Sequence, residues 1–524
     1  MEQKRLFAMT SVMLGLLFFL MSCTSDINQK QEAVMGSVIG TVVYEKILNS
    51  PGNGWLTYAG NYKATRFSPL AQINSKNISS LVPKWIYGIK GSVDLRTTPL
   101  VYDGIMYATN VNEVHALNAV TGERIWFWTI NENPRSGINR GVALLNDKLF
   151  FVTEDCRLVA LEKETGKLIW DKKYADQKKG YYATLAPLAL RDKIIVGVSG
   201  SDNGIRGFVA AFSPDDGREL WRFWTVPGRG EFGSETWGEN FDISRGGAAP
   251  WLNGSYDPDS NTIYWPTGNP WPHFDKSSRP GDNLYSNSML ALDADSGKLK
   301  WYFQFTPNDA HGWDGVAFAV LVDMNWRGQP RKVLLQANRN GFFYVLDRTT
   351  SELLLAKPFV KKNTWANGLN AKGQPIVMLG MESFDAASSN MCPWIRGATN
   401  WWSPSYNPRT GLFYVTAFEQ CGSEQGKFYL RAIDPQTGDT RWEYPMPGPS
   451  MMTAGTMTTA SNLVFAGDDG GHLIALDAVS GRKLWQFAMG RPIFASPMTY
   501  AVNGKQYVAI AAGSDIFSFA LSNN

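Results

Sequence analysis

The stretch Ala475-Leu476-Asp477-Ala478-Val479-Ser480-Gly481-Arg482-Lys483-Leu484-Trp485 carries the pattern that organises the chain: an apolar pair, a polar residue, a short turn, a Gly, and a Trp four residues further on. The cassette recurs at Ala116-Leu117-Asn118 with Gly122 and Trp126, at Ala160-Leu161-Glu162 with Gly166 and Trp170, and at Ala291-Leu292-Asp293 with Gly297 and Trp301. Gly217 with Trp221 and Gly438 with Trp442 keep the spacing; in a degenerate copy at Val345-Leu346-Asp347, Ser351 replaces the Gly and the Trp is missing. An apolar strand ending at a Gly that supplies positive φ, then a returning strand, is a β-hairpin. A Trp at fixed register in each hairpin can stack between one sheet and the next. Strand-like runs precede the cassettes, as at Lys148-Leu149-Phe150-Phe151-Val152 and Asn462-Leu463-Val464-Phe465-Ala466. Four-stranded sheets repeated radially close a ring and protect their edges, so the pattern predicts an all-β, eight-bladed β-propeller of antiparallel blades with tryptophan-docking repeats. Seven copies are visible, and the eighth blade is expected where the first strands join the last, around Tyr507–Ile510 and Ile516–Leu521. A β-sandwich array is the competing architecture; one aromatic motif per unit favours the propeller.

Composition agrees with a large, turn-rich body. The 524 residues include 50 Gly and 27 Pro, which penalise helix interiors and argue against coiled coil or helical solenoid. With 44% hydrophobic residues the chain can bury a large core, which argues against disorder. Fifty Lys and Arg against 47 Asp and Glu leave a formal +3, too balanced for a nucleic-acid binder. Between Trp221 and Trp301, and between Trp301 and Trp442, the spacing exceeds one blade, and these Trp-, Pro- and Gly-rich insertions are long enough to roof a pocket.

The N-terminus reads as an address. Lys4 and Arg5 precede an apolar run, Leu6 to Leu20, short for a membrane span and ending at Leu20-Met21-Ser22-Cys23. The tetrad resembles the bacterial lipobox, which implies a lipoprotein signal peptide over 1–22, lipidation of Cys23, and a periplasm-facing, membrane-anchored protein, with the outer membrane favoured. An ordinary signal peptide that happens to carry a Cys is the alternative. Residues 23–50 read as a flexible tether, and 51–524 as a single propeller. Of the remaining cysteines, Cys392 and Cys421 bracket a Trp-rich stretch and are the candidate disulfide, while Cys156 reads as a lone thiol. No Cys-x-x-Cys-His occurs, so no c-type haem is attached, and the four histidines show no zinc spacing.

Several ordered motifs then become specific: Asn139-Arg140-Gly141-Val142-Ala143, Gly204-Ile205-Arg206-Gly207, Gly268-Asn269-Pro270, Arg279-Pro280-Gly281-Asp282-Asn283-Leu284-Tyr285, Thr306-Pro307-Asn308-Asp309, Asn338-Arg339-Asn340-Gly341 and Thr399-Asn400-Trp401-Trp402. In these the chain resembles the PQQ-dependent quinoprotein alcohol dehydrogenases, from about Trp55 to the C-terminus. The resemblance implies an eight-bladed propeller with PQQ and a metal on its axis. It also implies oxidation of an alcohol or other hydroxyl substrate by hydride transfer, with electrons passed to a separate cytochrome c or quinone. By motif, Asp202 and Asn269 would be metal ligands, an oxygen set suited to Ca²⁺ or a lanthanide. Trp251 matches the stacking indole, Arg140, Thr184, Ser199 and Gly200 match residues at the cofactor's edge, Arg339 matches the cation beside the reacting oxygens, and Asn400 with Trp401 matches the wall beyond them. Trp265, Trp271, Trp394, Trp401 and Trp402 are expected to fold over the axis and set the pocket's width.

Five positions depart from the family pattern. Asp202 stands where Glu is usual, Pro134-Arg135 where many members carry a vicinal Cys pair, Arg96 where Glu is usual, and Ala249 where a Thr is found. In Thr306-Pro307-Asn308-Asp309-Ala310-His311-Gly312-Trp313-Asp314 the residue aligned with the catalytic base is Gly312, which cannot accept a proton. Asp314, aligned with an extra metal ligand of lanthanide users, could be ligand, replacement base or both; His311 and Asp309 are the other candidates, Asp309 as a turn cap. Two readings follow: a quinoprotein dehydrogenase with Asp314 and Arg339 in the catalytic roles, or a non-catalytic propeller lipoprotein, whether pseudoenzyme or envelope assembly scaffold. The retained site set favours the enzyme; Gly312, Arg96 and the absent Cys pair favour the scaffold.

Overall fold

Each Gly-to-Trp cassette is the turn between the third and fourth strands of a four-stranded antiparallel sheet. The structure, a computed structural model, describes residues 41–50, 52–130, 137–384, 390–446, 448, 453–468 and 470–522. The signal segment, Cys23 and the Pro134-Arg135 pair lie outside the described residues. Lettering strands A to D from the axis outwards, the first blade comprises Leu100–Tyr102, Ile105–Asn110, Glu113–Asn118 and Arg124–Thr129. Six further blades follow in chain order, with D strands at Leu168–Lys173, Glu219–Trp224, Leu299–Gln304, Leu353–Pro358, Thr440–Met446 and Lys483–Ala488. B and C strands are buried almost throughout, and D strands are mostly exposed or half-buried, which places D at the rim.

The eighth blade joins the two ends of the chain as expected. Met498–Val502, Lys505–Ala512 and Asp515–Leu521 supply strands A to C, and Leu81–Gly88 completes the sheet antiparallel to Asp515–Leu521.

Register explains the cassette. In six C–D hairpins a one-residue bulge puts the Trp opposite an Ala: Ala116 faces Trp126, Ala160 Trp170, Ala211 Trp221, Ala291 Trp301, Ala432 Trp442 and Ala475 Trp485. The small partner leaves the indole room to lean onto the next blade. There it covers that blade's turn glycine: a Cβ on Gly166 would meet Trp126 at 2.5 Å, one on Gly297 would meet Trp221 at 2.4 Å, and one on Gly481 would meet Trp442 at 2.6 Å. The indole N–H donates to the carbonyl three residues before that glycine, as from Trp126 to Lys163 at 3.0 Å and from Trp442 to Ala478 at 3.1 Å. The turn carbonyl is thereby satisfied and the sheets are locked in register.

Trp85, in the D strand of the eighth blade, makes the same contact with Gly122 and donates to Ala119 O at 3.1 Å. It has no cassette of its own because its hairpin partner is at the other end of the chain. The eighth blade therefore has no C–D turn, and Trp485 packs edge-on against Phe519 instead of over a glycine. In the fifth blade Leu355 takes the Trp position opposite Val345, and Ser351 holds the glycine conformation at φ 67°.

The expected tether is corrected at its end. Val42 pairs with Asn146, Tyr44–Leu48 forms a short helix, and Val42, Tyr44 and Ile47 are buried. Beyond it, residues 62–66 cross the inner strands of four consecutive blades. Backbone bonds run from Tyr256 N to Tyr62 O, Leu321 N to Lys63 O, Tyr406 N to Thr65 O and Thr458 N to Arg66 O. Phe67–Ser68 then pairs parallel with the A strand of the seventh blade. Fully buried Arg66 donates to the carbonyls of Tyr58, Thr456 and Pro497. The predicted disulfide joins Cys392 and Cys421, and Cys156 is free and buried. No helix among the described residues is long and apolar enough to cross a membrane.

Candidate active site

Antiparallel blades send every D–A connection and every B–C turn to the same end of the ring. Arg140, Thr184, Trp251, Asp314, Asn400 and Trp401 stand on D–A connections; Ser199, Gly200, Asp202, Asn269 and Arg339 stand on B–C turns. The topology therefore gathers all eleven at one mouth of the axis.

At its centre is Asp314, 8% exposed. Its Oδ1 accepts from Trp251 Nε1 at 3.1 Å and from the Asn269 backbone N–H at 3.1 Å. Its Oδ2 is 2.5 Å from Arg339 Nη1, and Arg339 Nη2 donates to Ile395 O. Burial raises the Asp314 carboxyl above the ordinary range, opposed by the Arg339 charge and the Trp251 N–H; the negative charge of Asp202 adds to the rise. Asn269 donates its side-chain amide to Asp202 Oδ1 at 3.1 Å. Two carboxylates and an amide thus converge, a hard oxygen set of the kind that takes a Ca²⁺ or lanthanide ion. Asp202, whose side chain is 72% exposed, forms the open side.

Glycines make the site possible at two points. A Cβ on Gly268 would lie 2.6 Å from Asp314 Oδ1 and 2.9 Å from Ala249 O. Gly200, at φ 125°, passes against Gly180 O, which a Cβ would meet at 2.6 Å. Ser201 Oγ, on the same turn, accepts from Ala249 N at 2.8 Å and ties that turn to the Trp251 loop.

Beside this centre, Arg140 is 2% exposed and donates Nη1 to Thr184 O at 3.0 Å. Thr184 Oγ1 and Ser199 Oγ are 3.2 Å apart. The Arg140 guanidinium lies 5.2 Å from the Trp251 ring and 5.5 Å from the Trp401 ring. Among the described residues Arg140 has no ion-pair partner, and its buried Nε and that of Arg339 have no hydrogen-bond acceptor. A buried cation with unspent donors between two indole faces fits a flat, multiply anionic cofactor.

The loop candidates separate cleanly. Asp309 accepts from the N–H groups of His311 and Trp313 at 2.9 and 3.0 Å, so it is a turn cap. His311 is held between Asp309 and Met381 O and stacks on Trp313. Only Asp314 reaches the site. Gly312 sits at φ 64°, and a Cβ there would meet Phe274 at 3.3 Å and His273 at 3.4 Å. His273, whose Nδ1 is 3.6 Å from Asp202 Oδ1, was not singled out by sequence; its place four residues beyond Asn269 on the same turn was the available signal.

One expectation is corrected. Trp265 is fully buried in a B strand, donating to Pro250 O, and Trp402 packs edge-on against Phe428, so neither roofs the axis. The Asn400 side chain is used locally, donating to Arg396 O and accepting from Trp401 N.

A closed β-propeller with acidic, amide and guanidinium groups gathered at one mouth defines a propeller with a candidate cofactor site. Over residues 55–379 and 448–508 the chain matches the PQQ family described as glucose/ethanol/alcohol dehydrogenase, β-propeller domain. It is 38% identical over 538 aligned positions to the quinoprotein alcohol dehydrogenase PedH of Pseudomonas putida, covering 91% of this chain and 89% of that protein. Quinohemoprotein alcohol dehydrogenase ADHIIG of Pseudomonas putida HK5 superposes with a TM-score of 0.86 at 30% identity, covering 93% of this chain and 83% of its own. A europium-containing methanol dehydrogenase superposes at 0.85 with 28% identity, covering 91% and 100%. The chain belongs to the PQQ-dependent quinoprotein alcohol dehydrogenases, a family of oxidoreductases that act on alcohols.

Proposed function

We propose that the protein oxidises a small hydroxylated substrate with PQQ and a Ca²⁺ or lanthanide ion, and that electrons leave to a separate cytochrome c or quinone. The observation that carries this reading is the convergence of Asp202, Asn269, Asp314 and Arg339 beside Trp251 and the unpaired cation Arg140. When bound, the quinone would accept the hydride and the metal would act as Lewis acid. Asp202 and Asn269, with Asp314, would hold the metal; Trp251, Trp401, Arg140, Thr184, Ser199 and Gly200 would hold the quinone. Asp314 takes the hydroxyl proton in place of the side chain absent at Gly312, and Arg339 fixes the rotamer of Asp314 for that role.

The test is reconstitution of the purified protein with PQQ and either Ca²⁺ or La³⁺, reading bound-quinone absorbance and dye-linked oxidation of a panel of alcohols. Turnover with one metal supports the reading and identifies the metal. No quinone uptake with either metal refutes it, and uptake without turnover identifies a pseudoenzyme. A periplasm-facing lipoprotein, outer-membrane favoured and lipidated at Cys23, is supported by the Leu20-Met21-Ser22-Cys23 tetrad and by a disulfide that needs an oxidising compartment. Cys23→Ser should move the protein from the membrane to the soluble fraction.

A further inference from the structure

We propose that Arg96 is a second cationic anchor for the carboxylates of the quinone, standing with Arg140 beside the Trp401 ring. This inference rests on the PQQ reading above and goes beyond it, because Arg96 stands where the family pattern has an acid.

The geometry is specific. Arg96 lies on the connection from the eighth blade to the first, on the same mouth as the other site residues. Its guanidinium is 4.8 Å from the Trp401 ring, and that of Arg140 is 5.5 Å from the same ring and 5.2 Å from Trp251. The backbone on either side of Arg96 is pinned: Leu95 N donates to Gly513 O at 2.8 Å, and Thr98 N donates to the carbonyl of Arg140 at 3.0 Å. The two arginine-bearing segments are therefore hydrogen-bonded to each other, and their backbones are positioned before any ligand arrives.

Electrostatics point the same way. Burial lowers the Arg96 guanidinium from its ordinary range, with Asp94 opposing. Burial pushes Arg140 down to about 10, and the neighbouring Arg96 charge contributes to the fall. The Arg96 charge raises the cost of burying Arg140, and an anion beside both guanidinium groups would offset it. PQQ carries three carboxylates on a flat ring, more negative charge than Arg140 alone would balance, and Arg96 supplies a second cation on that side. A guanidinium placed over the Trp401 ring at 4.8 Å offers the planar donor fork by which arginine binds a carboxylate.

The experiment titrates the cofactor-free full chain with PQQ in the presence of Ca²⁺ or La³⁺, following tryptophan quenching and bound-quinone absorbance. Wild type is compared with Arg96→Gln and Arg96→Lys, and each with the trimethyl ester of PQQ. Arg96→Gln should bind PQQ at least about tenfold more weakly, Arg96→Lys should fall between, and the ester should be bound equally by all three. Unchanged PQQ affinity in Arg96→Gln overturns the proposal. So does an equal loss for acid and ester, which would mean that Arg96 acts only by packing on Trp401. A wild-type chain that takes up no PQQ overturns the underlying reading instead. Melting temperatures of both variants report folding, and Arg96→Lys keeps the comparison usable if Arg96→Gln melts early.

Discussion

Asp314 is held by three donors from three different connections, so its position is fixed by the ring and not by its own loop. Asp314→Asn should lower kcat by about 10²- to 10⁴-fold, the range for a lost acid–base group, while quinone uptake persists at raised metal concentration. Full turnover by this variant would refute the assignment. Gly268→Ala tests the same point from the other side, since the added methyl would need space occupied by Asp314 Oδ1 and Ala249 O. We expect loss of metal-dependent activity with destabilisation of about 1–3 kcal/mol, read from kcat and a thermal melt. The residue types at the site were legible in sequence because each sits in an ordered motif. Asp314 was the acid that reading put in the site, with Asp309 as a turn cap, but the path that separates them was not legible. Asp309, His311 and Asp314 are near neighbours in sequence, and only the backbone path through Gly312 and Trp313 turns the first two into a cap and a packed ring.

The hairpins show what a local pattern can and cannot disclose. Removing a docking indole should cost about 3–5 kcal/mol, so Trp126→Ala is expected to lower the melting temperature strongly, whereas Trp126→Phe should lose less. Ser351 offers the opposite change. A non-glycine residue at φ 67° is strained, and Ser351→Gly should stabilise the chain by up to about 1 kcal/mol, seen as a higher urea midpoint. The cassettes were readable because Gly and Trp lie close in sequence and the bulge between them is always one residue. Trp85 escaped that reading although it does the same work, because the turn belonging to it does not exist. The inward positions of Trp265 and Trp402 escaped it too, since proximity to a Trp-rich insertion says nothing about which side of a strand faces the axis.

Across the whole molecule, the segment from Tyr62 to Ser68 ties four blades together through their inner strands, a role its polar and mixed composition did not announce. Arg66 anchors it through three carbonyls, and Arg66→Met should leave those acceptors unmet at about 1–3 kcal/mol each. We expect that variant to be recovered mostly in aggregates; a melting temperature within a few degrees of wild type would show that the strap is dispensable. The ring as a whole was legible because its repeat is periodic. The strap was not, because a segment that crosses blades follows no blade's period.

The eighth blade imposes an order in time. Its outer strand, Leu81–Gly88, is made more than four hundred residues before its partner, Asp515–Leu521. Until that end arrives the first blade has no neighbour on one side, and Gly122 accepts Trp85 from a strand that has nothing to pair with. A chain cut short anywhere before Asp515 is left with an open seam and an exposed edge, the form that proteases and aggregation act on. Synthesis of Asp515–Leu521 is thus a condition of closing the ring.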